Sequence, residues 1–256
     1  MATSFRQREI AQIARDEGKV VVDDLAARFD VTVQTIRRDL HDMAEQGLLE
    51  RVHGGAVLSS GVSNIGYQDR QTLFEAEKIA IARACAADIP EDISLFLNIG
   101  TSTEALAREL LSHRNLVVVT NNMNVAQILS ANKGCEIILT GGTLRRADGG
   151  LTGRMAISTI EQFKVDMAVI GCSALDGDGD LLDFDVQEVG VSQTIIRQSR
   201  KTMLIADRSK FQRSAPARIG SLSAIDTFYT DAPLPTPLAR KCADWGTEVV
   251  VARASG

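Results

Sequence analysis

From residue 95 onward the chain alternates short β-branched runs with stretches of helical period, and few folds accept that pattern. Strands are expected at 95–98, 116–120, 135–140, 167–171, 202–206, 227–230 and 248–251. Helices are expected between them at 103–111, 123–131, 153–163, 186–199 and 238–245. Repeated βα units give a mostly parallel sheet covered by helices, because each crossover must return the chain to the same end of the sheet. A helix at 75–88 precedes the first strand; Ile79, Ala82, Cys85 and Ala86 share one side of it, and Pro90 stops it.

The N-terminal part has a different period. Val33, Ile36, Leu40, Met43 and Ala44 recur at three- and four-residue steps and so share one helix face. Thr32 can cap that helix by accepting a first-turn N–H. The opposite face carries Gln34, Thr35, Arg37, Arg38 and His41. A shorter helix at 23–29 turns Leu25, Ala26 and Phe29 inward, and Asp30-Val31 makes the turn. Two short helices joined this way form a helix-turn-helix, whose second helix enters the major groove. Gln34 and Thr35 then reach base edges, and Arg37 or Arg38 a phosphate or a guanine. Residues 50–58, ERVHGGAVL, read as a small β-wing carrying Arg51 and His53, and 20–22 as an extended piece that pairs with it. A first helix covers 4–17, with Gly18 ending it. The same pattern also fits a three-helix bundle with a solvated polar face. Charge does not decide between them: residues 1–58 hold eight Lys/Arg and ten Asp/Glu, against the usual basic footprint. Asp39 is read as orienting a neighbouring arginine rather than facing DNA.

At 256 residues and 45% hydrophobic, with a net charge of −5 and a mean hydropathy of zero, the chain can build two domains with cores. No run approaches the ~18 apolar residues of a membrane span, and the N-terminus lacks an apolar signal core. A cytoplasmic protein without membrane attachment is expected. Cys85, Cys135, Cys172 and Cys242 are scattered, with no CxxC pair, and read as buried thiols rather than a disulfide frame or zinc site. Of the three histidines only His113 falls in the larger part. That argues against a histidine triad or metal centre there, so neither metal nor cofactor is expected. Residues 59–66, SSGVSNIG, are small, polar and aperiodic, and ordered structure restarts at 67–70. The expected division is 1–58 for DNA, 59–74 as linker and 75–256 as effector domain.

Ligands of open parallel sheets bind beyond the carboxyl ends of the strands. Four such ends carry suitable chemistry. Asn98-Ile99-Gly100-Thr101-Ser102-Thr103 runs from a strand into a helix start, where free N–H groups, the dipole and hydroxyls suit a phosphate; an ordinary N-cap gives the same letters. Asn121-Asn122 after Thr120 suit sugar hydroxyls, or a turn and cap. Gly141-Gly142 precede Arg145, Asp148, Gly149 and Gly150, and the glycines also fit plain turns. In Asp207-Arg208-Ser209-Lys210-Phe211, Lys210 could pair with a phosphate or carboxylate, or be a solvated lysine. The alternating aspartates at 176–180 lack the glycine and glutamate of a calcium loop and read as a turn. Gly171-Cys172-Ser173 lacks the second glycine of a nucleophile elbow.

TIRRDL at 35–40, followed by Leu49, Arg51, His53, Gly54, Gly55 and Ala56, resembles the DeoR family of bacterial transcriptional repressors. Gly100-Thr101-Ser102-Thr103, Thr120-Asn121-Asn122, Gly141-Gly142, Glu188 and 207–211 resemble that family's sugar-phosphate-sensing domain, with Asn98 standing where the family usually has aspartate. The resemblance implies an α/β fold: an N-terminal winged helix-turn-helix and a mostly parallel C-terminal domain similar to ribose-5-phosphate isomerase. It implies operator DNA as partner, a phosphorylated effector held by Asn98, 100–103, Asn121, Asn122, Gly141, Gly142, Arg145, Glu188 and Lys210, and no catalysis. The segments 119–126, 181–189 and 229–235, with the loop of Arg145 and Gly153, are similar to those of members that sense glycerol 3-phosphate, which implies that ligand as inducer. Two alternatives stand beside it: a repressor for another sugar phosphate, and an isomerase. The isomerase-type Lys-Gly-Gly-Gly stretch is absent, LLDFDVQEV standing in its place. A homodimer or homotetramer is expected, since paired half-sites raise affinity and specificity.

Overall fold

The computed structural model describes residues 5–253 except 18, 53, 59–66 and 73. Its first part comprises α1 (Phe5–Glu17), β1 (Lys19–Val21), α2 (Val22–Phe29), α3 (Val33–Glu45), β2 (Leu49–Val52) and β3 (Gly55–Leu58). Ile10, Ile13, Leu25, Ile36, Leu40, Met43 and Leu49 close a single core. α2 ends because Asp30 takes a left-handed conformation (φ 50°), and α3 starts where the Thr32 hydroxyl accepts the Thr35 N–H at 3.2 Å. β1 pairs antiparallel with β3, which also pairs with β2, so the extended piece joins the wing as expected. The paired glycines of the wing have separate reasons. Gly54 sits at φ 77°, which side chains disfavour. Gly55 faces β1 so closely that a Cβ there would lie 1.9 Å from the Val20 carbonyl oxygen.

The second part opens with α4 (Tyr67–Thr72) and α5 (Glu75–Ala87). It continues through β4 (Ser94–Leu97), α6 (Thr101–Glu109), β5 (Leu116–Thr120), α7 (Met123–Leu129) and β6 (Cys135–Leu139). Then follow β7 (Thr143–Arg145), β8 (Gly150–Thr152), α8 (Arg154–Ile160), β9 (Val165–Ile170), β10 (Ala174–Leu175), β11 (Asp180–Asp183) and α9 (Val186–Arg197). β12 (Ser199–Ile205), β13 (Ala217–Ser221), β14 (Thr227–Thr230), α10 (Thr236–Trp245) and β15 (Glu248–Val251) complete it. Seven strands form one sheet in the order β15-β14-β12-β9-β4-β5-β6, and every pair in it is parallel.

Side chains alternate across a strand, and here both faces are buried. Leu95 and Leu97 enter one core while Phe96 enters the other; Met203 and Ile205 separate from Leu204 in the same way, and Tyr229 from Phe228. α5, α6 and α7 cover the first face, and α8, α9 and α10 the second. That explains the near-continuous apolar strands.

The chain starts this sheet at β4, builds β5 and β6 on one side, then returns to place β9 on the other. The reversal between β4 and β9 leaves a crevice beyond their carboxyl ends. Three features depart from expectation. Residues 141–150, read as loop, form most of the β7–β8 hairpin. β10, β11 and β13 make a small antiparallel sheet with a register shift at Leu181/Leu182; strands of two to five residues held by distant partners leave no local period. Residues 67–72, within the stretch expected as linker, are helical. Among the described residues no helix is long and apolar enough to cross a membrane.

Candidate functional site

α3 buries Ile36, Leu40 and Met43 and leaves Gln34, Arg37, Arg38 and His41 exposed. Thr35 is half-buried, and its hydroxyl lies 2.9 Å from that of Thr32, so it is shared with the cap. Arg51, on β2, is exposed; His53 lies outside the described residues. Asp39 points inward and accepts Arg6 Nε at 2.5 Å, which ties α1 to α3. The arginine that Asp39 orients thus comes from α1.

The second site lies at the β4–β9 reversal. Gly100 adopts φ 139°, a conformation open to glycine, and starts α6 at Thr101, two residues earlier than expected. The Thr103 hydroxyl donates to the Gly100 carbonyl at 2.7 Å, and the Thr101 hydroxyl to the Arg70 carbonyl at 3.3 Å. Asn98 is buried: its Oδ1 accepts the Ile99 N–H at 2.6 Å, and its Nδ2 donates to Ser192 Oγ at 2.7 Å. The amide thus stiffens the loop that presents the N–H groups at the start of α6, where an anion is favoured.

A cavity of about 240 Å³ opens there, below the roughly 300–1,000 Å³ usual for drug-sized ligands, and so suited to a small polar metabolite. Of the residues singled out by sequence, Asn98, Gly100, Thr101, Ser102, Thr103, Arg145, Glu188 and Lys210 line it. Asn121, Asn122, Gly141 and Gly142 do not. Asn121 stands behind the wall, donating to Glu188 Oε2 at 3.4 Å and to the Leu151 carbonyl at 3.2 Å. Asn122 caps α7 by accepting the Asn124 and Val125 N–H groups. Gly141 and Gly142, at φ 71° and 112°, turn the chain into the hairpin that delivers Arg145. A Cβ at Gly142 would meet the Thr152 carbonyl oxygen at 2.5 Å.

Charge in the cavity is mixed and highly ordered. Arg145 grips Asp148 with Nε and Nη2, each at 2.9 Å, and reaches Asp185 with Nη1 at 2.6 Å. Burial alone would raise the Asp148 carboxyl, but Arg145 and Arg70 hold it below the usual range. Glu188 behaves oppositely. Burial drives its carboxyl well above the ordinary value, and Arg145 only partly offsets this while Asp183 adds to it. Its Oε1 is buried and, among the described residues, has no hydrogen-bond partner. Lys210 is pushed down by burial and pulled back by Asp207, 4.0 Å away. Asp207 is kept below the usual carboxylate range despite its burial by Lys210 and by donors from Ser209. Cys172, also in the wall, is pushed up to about 12 by burial, so its thiol stays protonated and unreactive at neutral pH.

Sequence reasoning missed Tyr67, Arg70, Asp183, Asp185 and Ser192, which also line the cavity. Asp185 had a local signal: with Glu188 it forms the Asp-x-x-Glu pattern of a helix start, and it accepts the Gln187 N–H at 2.8 Å as cap of α9. Tyr67 and Arg70 had none, lying on a six-residue helix. Among the described residues no group of His, Cys, Asp and Glu side chains is arranged to hold a metal ion.

Comparison with known proteins agrees with both halves. Residues 6–61 match the DeoR-like helix-turn-helix domain, and residues 74–232 the DeoR C-terminal sensor domain. The glycerol-3-phosphate regulon repressor of Escherichia coli (strain K12) is 44% identical over 244 residues, covering 95% of this chain and 97% of the relative. That of Haemophilus influenzae is 44% identical over 234 residues, covering 91% of each. The HTH-type transcriptional repressor CsqR of Escherichia coli (strain K12) is 37% identical over 246 residues, covering 96% of this chain and 94% of the relative. Among solved structures, a D-ribose-5-phosphate isomerase in complex with phospho-erythronic acid is similar with a TM-score of 0.40 at 17% identity, covering 54% of this chain and 53% of that one.

Proposed function

Since this chain belongs to the DeoR family of transcriptional regulators, we propose that it represses genes of glycerol 3-phosphate metabolism and is released from its operator by glycerol 3-phosphate. Residues 1–58 read DNA through Gln34, Thr35, Arg37, Arg38, Arg51 and His53, and residues 75–256 sense the effector, with α4 of the connecting stretch adding to the pocket. The observation that carries this reading is one small cavity, lined by the start of α6 together with Arg70, Arg145 and Lys210. The α6 amides and Lys210 suit a phosphate. Asn98, Ser192 and Glu188 suit hydroxyls, and Asn121 braces Glu188 from behind.

The pocket binds without turning its ligand over. Sugar-phosphate isomerisation needs a general base beside the bound carbon chain. Burial pushes the Glu188 carboxyl well above its ordinary range, which disfavours the ionised form a base needs, and Arg145 occupies Asp148 and Asp185. Asp183 already accepts from Ser173 and from the Phe184 and Asp185 N–H groups. Coupling between effector and DNA then requires a difference in effector affinity between the DNA-bound and released states, typically ~1–3 kcal/mol. A homodimer or homotetramer acting in the cytoplasm would place two α3 helices on paired half-sites.

The test is a fluorescence-anisotropy titration on DNA from upstream of glycerol-metabolism genes, at fixed salt, with and without glycerol 3-phosphate. Tight binding relieved by the ligand is expected. Tight binding indifferent to it would transfer the role to another sugar phosphate. Pentose-phosphate isomerisation by the purified protein would reinstate the enzyme.

A further inference from the structure

The first described residues after 59–66 reach into the effector cavity. α4 begins at Tyr67, and Arg70, one turn on, lines the cavity wall. Its Nη2 donates to Asp148 Oδ2 at 3.2 Å, and its guanidinium lies 5.9 Å from the Tyr67 ring centroid. Its Nε is buried and, among the described residues, has no hydrogen-bond partner. A buried donor left unmet is costly and marks a place that another group completes. Asp148 does not depend on Arg70, because Arg145 already holds both of its oxygens at 2.9 Å. Arg70 can therefore leave Asp148 without stranding a buried carboxylate.

Other cations gather near Arg70. Lys78, Lys210 and Arg213 interact electrostatically with Asp207, and Arg70 adds repulsion to each of the three cations. Arg213 Nη2 is likewise buried without a hydrogen-bond partner among the described residues. Backbone and side chain are coupled at this point. The Arg70 carbonyl accepts from Thr101 at the start of α6 and from Lys78 on α5, so a shift of Arg70 is felt along α4.

Building on the reading of this cavity as a sugar-phosphate site, we propose that Arg70 exchanges its Asp148 partner for the effector's phosphate, and that this exchange makes α4 the element through which occupancy reaches the DNA-binding domain. Arginine suits the step because its planar fork can hold two phosphate oxygens.

The experiment is calorimetric titration of the full chain with inorganic phosphate and with glycerol 3-phosphate, for the wild type, Arg70→Gln and Asp148→Asn. Arg70→Gln should weaken phosphate binding by about fivefold or more, whereas Asp148→Asn, which removes the competing charge, should hold or tighten it. A smaller loss in Arg70→Gln overturns the proposal. So does weakening in both variants, since that is what a merely structural ion pair predicts. A wild type that binds inorganic phosphate but not glycerol 3-phosphate removes the proposed effector and leaves Arg70 judged on phosphate; one that binds neither removes both. Amide exchange over 67–72 reads the second half: saturating phosphate should change it in the wild type, and an unchanged α4 overturns its linking role.

Discussion

Asn98 and Ser192 are joined by a 2.7 Å hydrogen bond from Nδ2 to Oγ, linking the end of β4 to α9 in a place where both are about 1% exposed. The amide's other end is taken by the Ile99 N–H. Ser192→Ala should therefore strand a buried donor and cost about 1–3 kcal/mol, visible as a fall of roughly 2–4 °C in Tm per kcal/mol for a domain this size. Asn98→Asp should fold normally, because the Ser192 hydroxyl can rotate to donate to a carboxylate. In the double variant that carboxylate loses one donor, so the loss should exceed the sum of the single effects. Additive melting shifts would show that the pair is not coupled.

Glu188 makes stability depend on pH in a direction opposite to most carboxylates. Burial raises its folded-state value, so the native chain keeps a proton that the unfolded chain releases. Its contribution is fully present below the ordinary glutamate range and is lost as pH rises through the raised folded value. Glu188→Gln mimics the neutral acid and does not titrate. The variant should gain on the wild type as pH climbs above the ordinary glutamate range and towards the raised folded value. Melting curves across that range decide it; a constant gap between the two proteins would mean that Glu188 is ionised in the fold.

The elements readable in the sequence are those that carry their own period. The core strands alternate between two apolar faces, and α3 repeats its apolar residues every three to four positions, so both were legible. Thr32 was legible as a cap and Asp30 as a turn. Arg70 and Tyr67 were not, because their role depends on Asp148, Glu104 and Asn124, which lie 37 to 78 residues away in the chain. Asn122 shows the reverse case: a helix cap and a ligand contact use the same side chain, both readings were open in the sequence, and the fold shows the cap. The β11–β13 pairing was invisible for the same reason as Arg70, since nothing local specifies it.

The wing supplies a backbone prediction. A Cβ at Gly55 would overlap the Val20 carbonyl, whereas at Gly54 it meets nothing within 4 Å. Gly54→Ala should cost about 1 kcal/mol from its positive φ alone. Gly55→Ala must push β3 off β1 and should cost more, because three paired residues are disturbed together. Operator affinity should fall further for Gly55→Ala than for Gly54→Ala. Equal effects in melting and anisotropy would show that β1–β3 contact is not what holds the wing.

Arg38 is exposed on α3 beside Asp39, whose carboxylate is turned inward to Arg6. That inward turn takes the Asp39 charge off the outer face of α3, where Asp42 stays half-exposed one turn after Arg38, and Arg38 can approach DNA. Arg38→Ala should lower operator affinity by roughly 10- to 100-fold, the ~1–3 kcal/mol of a base or close phosphate contact, with glycerol 3-phosphate binding unchanged. The salt dependence identifies the contact. If Arg38 neutralises a phosphate, the variant's slope of log affinity against log salt drops by about one and all sequences weaken alike. If it reads a guanine, discrimination against random DNA narrows instead. Asp39→Ala separates the two faces of the same helix: it releases α1 from α3 and should lower stability and operator affinity together, whereas Arg38→Ala lowers affinity alone. An Arg38→Ala protein that binds operator as the wild type does would move recognition to Gln34, Arg37 or the wing.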